Sequence, residues 1–278
     1  TGELNAAVNL YNSSAMRYPW ADDLFLAFPS VYYKTSKDTD PVNVNGNDGL
    51  FEVELAVSRD SINWKRYRRF DGDKPYIPLW GHGERVTGAT GSKGLLKYGP
   101  KGNNDGENPV YLVCMLQGMF RKGDEIWQYF QAIRSSHGRG AIVNGEFGAV
   151  FKDPPDLERE EAWANADKGG IYLARQRLDG FVSVDAGSSE TVLATKLIAP
   201  AGSKIFLNAK IASGGSISVS LVDDKGALLA ESEPVTGDSV RLPVFWKRKQ
   251  DIDGIPGKSV RVIFRMTNAR LFAFEEGK

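Results

Sequence analysis

Two acidic side chains, Asp22 and Asp23, follow the aromatic segment Tyr18-Pro-Trp20 and precede an apolar run. Hydrolysis of a glycosidic bond uses two carboxyl groups, one as acid and the other as base or nucleophile, beside an aromatic ring that can stack on the sugar. We therefore predict Asp22 and Asp23 as catalytic candidates, with Tyr18 and Trp20 as substrate-binding side chains. The alternative is that both aspartates are turn or capping residues.

A second group of polar side chains lies in the glycine-rich segment Trp80-Gly-His-Gly-Glu-Arg85. One loop here would expose an acid, an imidazole and a cation together, which suits acid–base chemistry. Glu84 is therefore another catalytic candidate, and His82 and Arg85 are candidates for substrate binding. A solvated turn is the alternative.

Two further acids, Glu52 and Glu54, alternate with apolar residues along positions 51–58. A period of two predicts a half-polar strand with both glutamates on one face, where like charges are usually solvated. The strand ends at Ser58, and residues 58–64 predict a tight turn in which Ser58 and Asp60 bond backbone amides. Trp64 is expected to pack under the next strand.

The elements that must position these residues are strands. Thirty glycines, an aromatic share of 11% and short apolar runs between turn clusters favour an all-β fold. The single helix candidate is 156–166, and 97–108 is expected to be an exposed loop. In the first part of the chain the predicted strands are 24–33 with a break at Pro29, 51–58, 86–96, 110–116, 125–130 and 170–177.

These strands predict two domains. Residues 1–180 are interpreted as blades of a β-propeller, which is incomplete because about two blades fit and a closed ring takes four or more. Residues 181–278 are interpreted as a β-sandwich accessory domain. Its Arg261 and Arg265 alternate with apolar residues, which indicates one wet sheet face. The predicted strands of this domain are 205–211, 216–222, 240–246, 260–266 and 271–274.

Several motifs together resemble the C-terminal half of a bacterial glycoside hydrolase-like family, related at fold level to the furanosidase clans with a five-bladed propeller followed by a β-sandwich. Members of that family usually carry glycine where this chain has Ser61. The resemblance spans nearly the whole chain and is carried by Tyr11-Asn12, Tyr18-Pro-Trp-Ala-Asp22, Phe28-Pro-Ser30, Leu55-Ala-Val-Ser-Arg-Asp60 with Trp64, Gly123-Asp-Glu-Ile-Trp127, Arg177-Leu-Asp-Gly-Phe181 and Ala269-Arg-Leu-Phe-Ala-Phe274.

The resemblance implies further site residues and a partner. It places the His-Gly of Ser135-Ser-His-Gly-Arg139 at the pocket side of the last blade, so His137 joins the catalytic candidates. Asn12 and Arg139 join the substrate-binding candidates. Because the first blades precede the matched part in such proteins, a second chain or an N-terminal segment is expected to complete the propeller. An extracellular or periplasmic location is expected.

Composition excludes other classes of function. Lysine plus arginine number 35, as do aspartate plus glutamate, so no overall charge recruits nucleic acid. The apolar stretches 24–28 and 111–116 are far shorter than the roughly 20 residues of a membrane helix, so no membrane partner is expected. With two histidines and one cysteine, a zinc or copper site is not expected, and no cofactor is predicted.

The sequence therefore predicts a glycoside hydrolase-like protein that acts on a poly- or oligosaccharide through carboxylate acid–base chemistry. Two alternatives stay open. The chain could bind carbohydrate or a protein partner without turnover, or it could be an assembly subunit whose open strand edges pair with another chain.

Overall fold

The computed structural model describes residues 8–34, 49–67, 76, 112–133, 169–202, 204–247 and 254–277. Within these ranges the chain forms strands and turns but no α-helix, which confirms the all-β prediction. It divides into two compact units, the first of residues 1–120 and 127–174 and the second of residues 121–126 and 175–278. The predicted strand 86–96, loop 97–108 and helix 156–166 lie outside the described residues.

The strands are numbered in chain order. Those up to residue 177 are β1 (Val8–Tyr11), β2 (Met16–Arg17), β3 (Phe25–Ala27), β4 (Ser30–Lys34), β5 (Gly49–Val53), β6 (Leu55–Ser58), β7 (Lys65–Tyr67), β8 (Leu112–Met115), β9 (Phe120–Lys122), β10 (Glu125–Ile133) and β11 (Gly169–Arg177). Those that follow are β12 (Val184–Ala186), β13 (Thr191–Ala194), β14 (Lys204–Asp223), β15 (Leu228–Glu231), β16 (Asp238–Pro243) and β17 (Val260–Gly277).

The described strands form three sheets. The large sheet has seven strands in the order β1-β4-β5-β8-β10-β11, with β9 beside β10. The small sheet has the order β2-β3-β6-β7. The third sheet has six strands in the order β12-β17-β14-β15, with β13 beside β17 and β16 beside β14. None of the three closes on itself, and the assignment of blades and sandwich stays a prediction.

Two paired chain segments pass together from the small sheet to the large one. Ala27 pairs with Ala56 in the small sheet, and Ser30 pairs with Val53 in the large sheet. Pro29 lies at the crossing, where its carbonyl accepts a 3.1 Å hydrogen bond from the amide of Glu54. Proline has no amide hydrogen to donate to a sheet, so the chain leaves one sheet and enters the next there. The predicted break at Pro29 is confirmed.

The second of these segments corrects the prediction of a half-polar strand over 51–58. Residues 51–58 are divided between β5 and β6, and almost every side chain in them is buried. Glu52 and Glu54 are 0% and 1% exposed. The period-two pattern was a poor guide because the segment is covered on both faces and changes sheet at Glu54.

The turn after β6 forms as predicted around Asp60. The carboxylate of Asp60 accepts hydrogen bonds from the amides of Ile62 (2.9 Å) and Asn63 (2.7 Å). Ser61 has a φ of 62°, a left-handed conformation that suits glycine, the residue usual at this position in the similar family. Trp64 is 37% exposed, so the expectation that it packs under the next strand is wrong. Its indole N–H instead donates to the carbonyl of Ser61.

The Asp60 turn is expected to make stability depend on pH. The side-chain amide of Asn63, the amides of Asn63 and Ile62 and the hydroxyl of Ser58 hold the pKa of Asp60 well below its usual value of 3.8. A folded pKa below the unfolded one adds stability that is complete above the unfolded pKa and disappears as the pH falls through the folded pKa. Asp60→Asn should therefore lower the urea midpoint at pH 7, and the difference should begin to shrink only below about pH 4 and become much smaller by about pH 1.5. An equal difference at both pH values would contradict this role.

The second unit is organised by two long strands, β14 and β17, which pair over nearly their whole lengths. Their register shifts between Ile211 and Ser216, opposite Thr267, and the pairing continues on the far side of the shift. The sequence predicts two strands for each of these stretches. Residues 212–215 lie between the predicted strands 205–211 and 216–222, but they form an irregularity inside one continuous strand, so the prediction of separate strands is wrong.

The core of the second unit is built from one face of these strands. Val260, Val262, Phe264 and Met266 are fully buried, whereas Arg265 on the other face of β17 is about half exposed. The prediction of one wet face is therefore confirmed.

The motif Arg177-Leu-Asp-Gly-Phe181 also has a structural role in the second unit. The guanidinium of Arg177 donates to Asn208 Oδ1 (2.5 Å), Asp238 Oδ1 (2.6 Å) and the carbonyl of Ala209 (3.1 Å). The buried amide of Asn208 donates in turn to the carbonyl of Leu178. This network holds the segment that starts at Arg177 against β14.

Candidate functional site

The candidate site is the loop between β2 and β3, residues 18–24, here called the Trp20 loop. The amide of Tyr18 donates to the carbonyl of Leu24 at 2.8 Å and closes the base of the loop. The guanidinium of Arg17 donates to the carbonyl of Asp22 at 2.7 Å and joins its far side to β2. Two hydrogen bonds thus fix a short loop on the small sheet.

The two aromatic candidates of this loop have different positions. Tyr18 is 1% exposed, and its ring lies edge-on to the ring of Trp20 with 5.2 Å between centroids and 76° between planes. Trp20 is partly exposed. The edge-on contact with the buried Tyr18 therefore holds the indole of Trp20 in place. Of the two rings, the indole is the one with a surface that a ligand could reach.

Both acidic candidates, Asp22 and Asp23, face solvent. Asp23 forms a 2.7 Å ion pair with Arg59, and each side chain of this pair is 69% exposed. An ion pair this exposed contributes little to stability, so a ligand could displace it at low cost. The loop therefore carries one partly exposed aromatic ring and two carboxylates that can accept hydrogen bonds from hydroxyl groups.

The other predicted site residues are not brought to this loop by any described contact. Asn12 is exposed, has a φ of 37° and is a hydrogen-bond partner of the Cys114 thiol. Burial raises the pKa of that thiol, which suits a structural cysteine. Five candidates lie outside the described residues: His82, Glu84, Arg85, His137 and Arg139.

The sequence did not predict a buried ion pair next to the small sheet. Arg66 donates from Nε (3.1 Å) and Nη2 (2.7 Å) to the same carboxylate oxygen of Glu54. The Glu54 side chain is 2% exposed and that of Arg66 is 28% exposed. Arg66 pairs with Ala56 across β6 and β7, so the register of this hairpin, which the sequence does not fix, places the cation beside the acid. This position makes Glu54 a structural carboxylate rather than a solvated one.

A second unpredicted feature of the first unit is the buried amide of Gln128. The phenol of Tyr76 donates to Gln128 Oε1 at 2.6 Å, and the Tyr76 ring packs against Phe28 with 4.8 Å between centroids. Burial raises the pKa of Tyr76, so the phenol keeps its proton and remains a donor. Gln128 Nε2 is buried with no hydrogen-bond partner. A small hydroxyl group or a water molecule would satisfy it.

The described ranges contain neither a metal-ligand cluster nor a membrane-spanning helix. No group of three or more histidine, cysteine, aspartate or glutamate side chains there could hold a metal ion. In the same part of the chain, no helix has the length and apolar character needed to cross a membrane.

Comparisons with known proteins give weak structural neighbours only. No family profile matches the sequence, and no curated protein matches it. A glycoside hydrolase family 43 arabinoxylan arabinofuranohydrolase from Bacillus subtilis, solved with cellotetraose, has a TM-score of 0.22 and 8% identity over 95% of this chain. A family 32 β-fructofuranosidase from Bombyx mori has a TM-score of 0.20 and 13% identity over 94% of this chain.

A mutant of the Bombyx mori enzyme with bound sucrose has a TM-score of 0.19 and 13% identity over 94% of this chain. The matches cover 53%, 65% and 64% of the three solved chains, so this chain spans between half and two thirds of their lengths. All three neighbours are glycoside hydrolases.

Proposed function

We propose that this chain is a glycosidase-type protein that contacts carbohydrate at the Trp20 loop. The observation that carries the proposal is the partly exposed indole of Trp20, packed on Tyr18, on the same short loop as the solvent-facing carboxyls of Asp22 and Asp23. An aromatic face and carboxylate acceptors are the two kinds of group that a sugar ring needs from a protein. The motif resemblance to a glycoside hydrolase-like family supports the same proposal.

In the catalytic form of the proposal, one carboxyl protonates the glycosidic oxygen and a second acts as base or nucleophile. Asp22 or Asp23 takes one of these roles, and Glu84 and His137 remain candidates for the other. Arg59 would then hold the Asp23 side chain in place until a sugar hydroxyl competes for the carboxylate.

A second function, carbohydrate binding without turnover, is favoured by the exposure of both aspartates. A general acid in a glycosidase usually sits in an apolar pocket, because burial keeps it protonated at neutral pH. Asp22 and Asp23 are both exposed in the described structure. They suit hydrogen bonding to hydroxyl groups at least as well as proton donation.

Substitutions in the Trp20 loop separate these functions. If the loop is catalytic, Asp22→Ala or Asp23→Ala should lower kcat/KM by about a hundredfold or more on any glycan that the protein cleaves. Trp20→Ala should weaken binding about tenfold in either case. Release of reducing ends and calorimetric titration, over a panel of polysaccharides and their oligomers, measure the two quantities.

Asp224→Ala provides the matched control, since Asp224 is an exposed aspartate in a turn of the second unit. Binding that depends on Trp20 with no turnover would select the second function. Cleavage and binding that are both unaffected by Trp20→Ala, Asp22→Ala and Asp23→Ala would rule out this loop as the site.

A further inference from the structure

The turn between β6 and β7, residues 58–64 and here called the Asp60 turn, lies at the same end of the small sheet as the Trp20 loop. Strands β3 and β6 are antiparallel, and Phe25, which follows the loop, pairs with Ser58, where the turn begins. The 2.7 Å ion pair between Asp23 and Arg59 joins the loop directly to the turn. The two segments are therefore neighbours at the protein surface.

The Asp60 turn combines a fixed backbone with exposed side chains. The carboxylate of Asp60 accepts hydrogen bonds from the amides of Ile62 and Asn63, and Asn63 Nδ2 donates to it at 2.7 Å. These bonds occupy Asp60, so it serves the turn rather than a ligand. Other side chains of the turn face solvent, since Arg59 is 69%, Ile62 79% and Trp64 37% exposed. We call these three side chains the Trp64 surface.

Trp64 has the properties of a preorganised aromatic contact. Its indole N–H donates to the carbonyl of Ser61 at 3.0 Å, which restrains a ring that has only two rotatable bonds. A ring that is already held loses little conformational entropy when a ligand packs on it. Ile62 adds apolar surface two residues away. Exposed apolar groups that lie together, beside polar ones such as Arg59, are typical of binding surfaces.

The positions of Trp20 and Trp64 set the size of a ligand that would touch both indoles. Strand β2 leads into the Trp20 loop and β7 begins directly after Trp64, and these are the outer strands of the small sheet. Three strand spacings, about 14 Å, separate them. A single sugar ring is shorter than this, so a carbohydrate that contacts both indoles has several linked sugar units.

We propose that the Trp64 surface is a second carbohydrate contact, and that the ligand is a chain of linked sugars that crosses this end of the small sheet from Trp20 to Trp64. The inference rests on the function proposed for the Trp20 loop and adds a requirement for chain length that the loop alone does not impose. Arg59 takes part in both contacts. When a ligand displaces it from Asp23, its guanidinium donates to sugar hydroxyl groups.

The test is calorimetric titration with xylo-, cello- and arabino-oligosaccharides, each from the monosaccharide to the hexasaccharide. The wild-type chain should bind the longer members of one series more tightly than the shorter ones. Trp64→Ala should weaken binding of the hexasaccharide about tenfold and leave binding of the monosaccharide unchanged, because only the longer ligand reaches the second ring. Trp20→Ala should weaken binding at every length. Trp64→Phe keeps an aromatic ring without the indole N–H and should retain most of the length dependence.

Phe245→Ala is the matched control, because Phe245 is an exposed aromatic residue of the second unit, and it should change binding at no length. Ile62→Asp, at a side chain that is 79% exposed, alters the Trp64 surface without touching the core and should also weaken only the longer ligands. Hexasaccharide binding that Trp20→Ala weakens but Trp64→Ala and Ile62→Asp do not would overturn this inference and leave the proposed function standing. A wild-type chain that binds no member of any series would overturn both.

Discussion

Replacing Arg66 by alanine is expected to lower the free energy of unfolding of the first unit by about 3 kcal/mol. Removing one partner of a buried ion pair typically costs about 3–5 kcal/mol, because a buried carboxylate loses the cation that offsets its desolvation. The lower end applies here since the Arg66 side chain is 28% exposed and water can partly replace it. Five of the six tryptophans precede residue 175, so tryptophan fluorescence in urea follows this unit.

Arg59→Ala is the control for that experiment. It removes the same type of side chain from the exposed pair with Asp23. The free energy of unfolding should therefore fall by less than about 1 kcal/mol. Glu54→Gln in the Arg66→Ala background should recover a large part of the loss, because it removes the buried charge itself. If Arg66→Ala and Arg59→Ala cost the same, or if Glu54→Gln gives no recovery, the pair does not stabilise the unit as argued.

The Glu54–Arg66 pair shows where sequence patterns stop being informative. Alternation of acids and apolar residues over 51–58 predicted a strand, and strands form there. The pattern could not show that two different sheets share this segment, since pairing partners come from residues distant in sequence. Burial of both glutamates follows from that pairing, so their solvated interpretation was wrong although the strands were predicted.

Features set by local chemistry were predicted more successfully. Pro29 interrupts its run because it lacks an amide hydrogen, and the side chains of Ser58 and Asp60 form their turn with residues close in sequence. The position of Trp64 was missed because it depends on what lies across from the turn. Local hydrogen bonding is encoded within a few residues, whereas packing is not.

In the candidate site, too, the sequence predicted what is local along the chain but not which side chains are buried. The sequence proposed Tyr18, Trp20, Asp22 and Asp23 as one group, and the structure places them on one loop. It could not separate the supporting tyrosine from the exposed indole, because burial depends on the whole sheet. Whether these residues act on carbohydrate stays a proposal.

Gly215→Ala is expected to destabilise the second unit by about 2–3 kcal/mol. A Cβ atom at this position would lie 2.6 Å from the carbonyl oxygens of both Thr267 and Asn268. These are backbone atoms of the paired strand β17, so relieving the contact requires the two long strands to move apart. The sequence predicted separate strands 205–211 and 216–222, because the close approach of a distant strand, which excludes a side chain at Gly215, cannot be seen in it. Hydrogen exchange of β14 and β17 peptides in urea measures the loss.

Gly187→Ala is the matched control, because a Cβ atom there meets nothing within 4 Å and the backbone needs no left-handed conformation. Its effect should stay within about 0.5 kcal/mol of zero. Loss of exchange protection in Gly215→Ala should begin next to the register shift and extend along both strands. A stability of Gly215→Ala equal to that of Gly187→Ala would mean that β14 and β17 do not approach each other this closely, and the continuous pairing of the two strands would have to be abandoned.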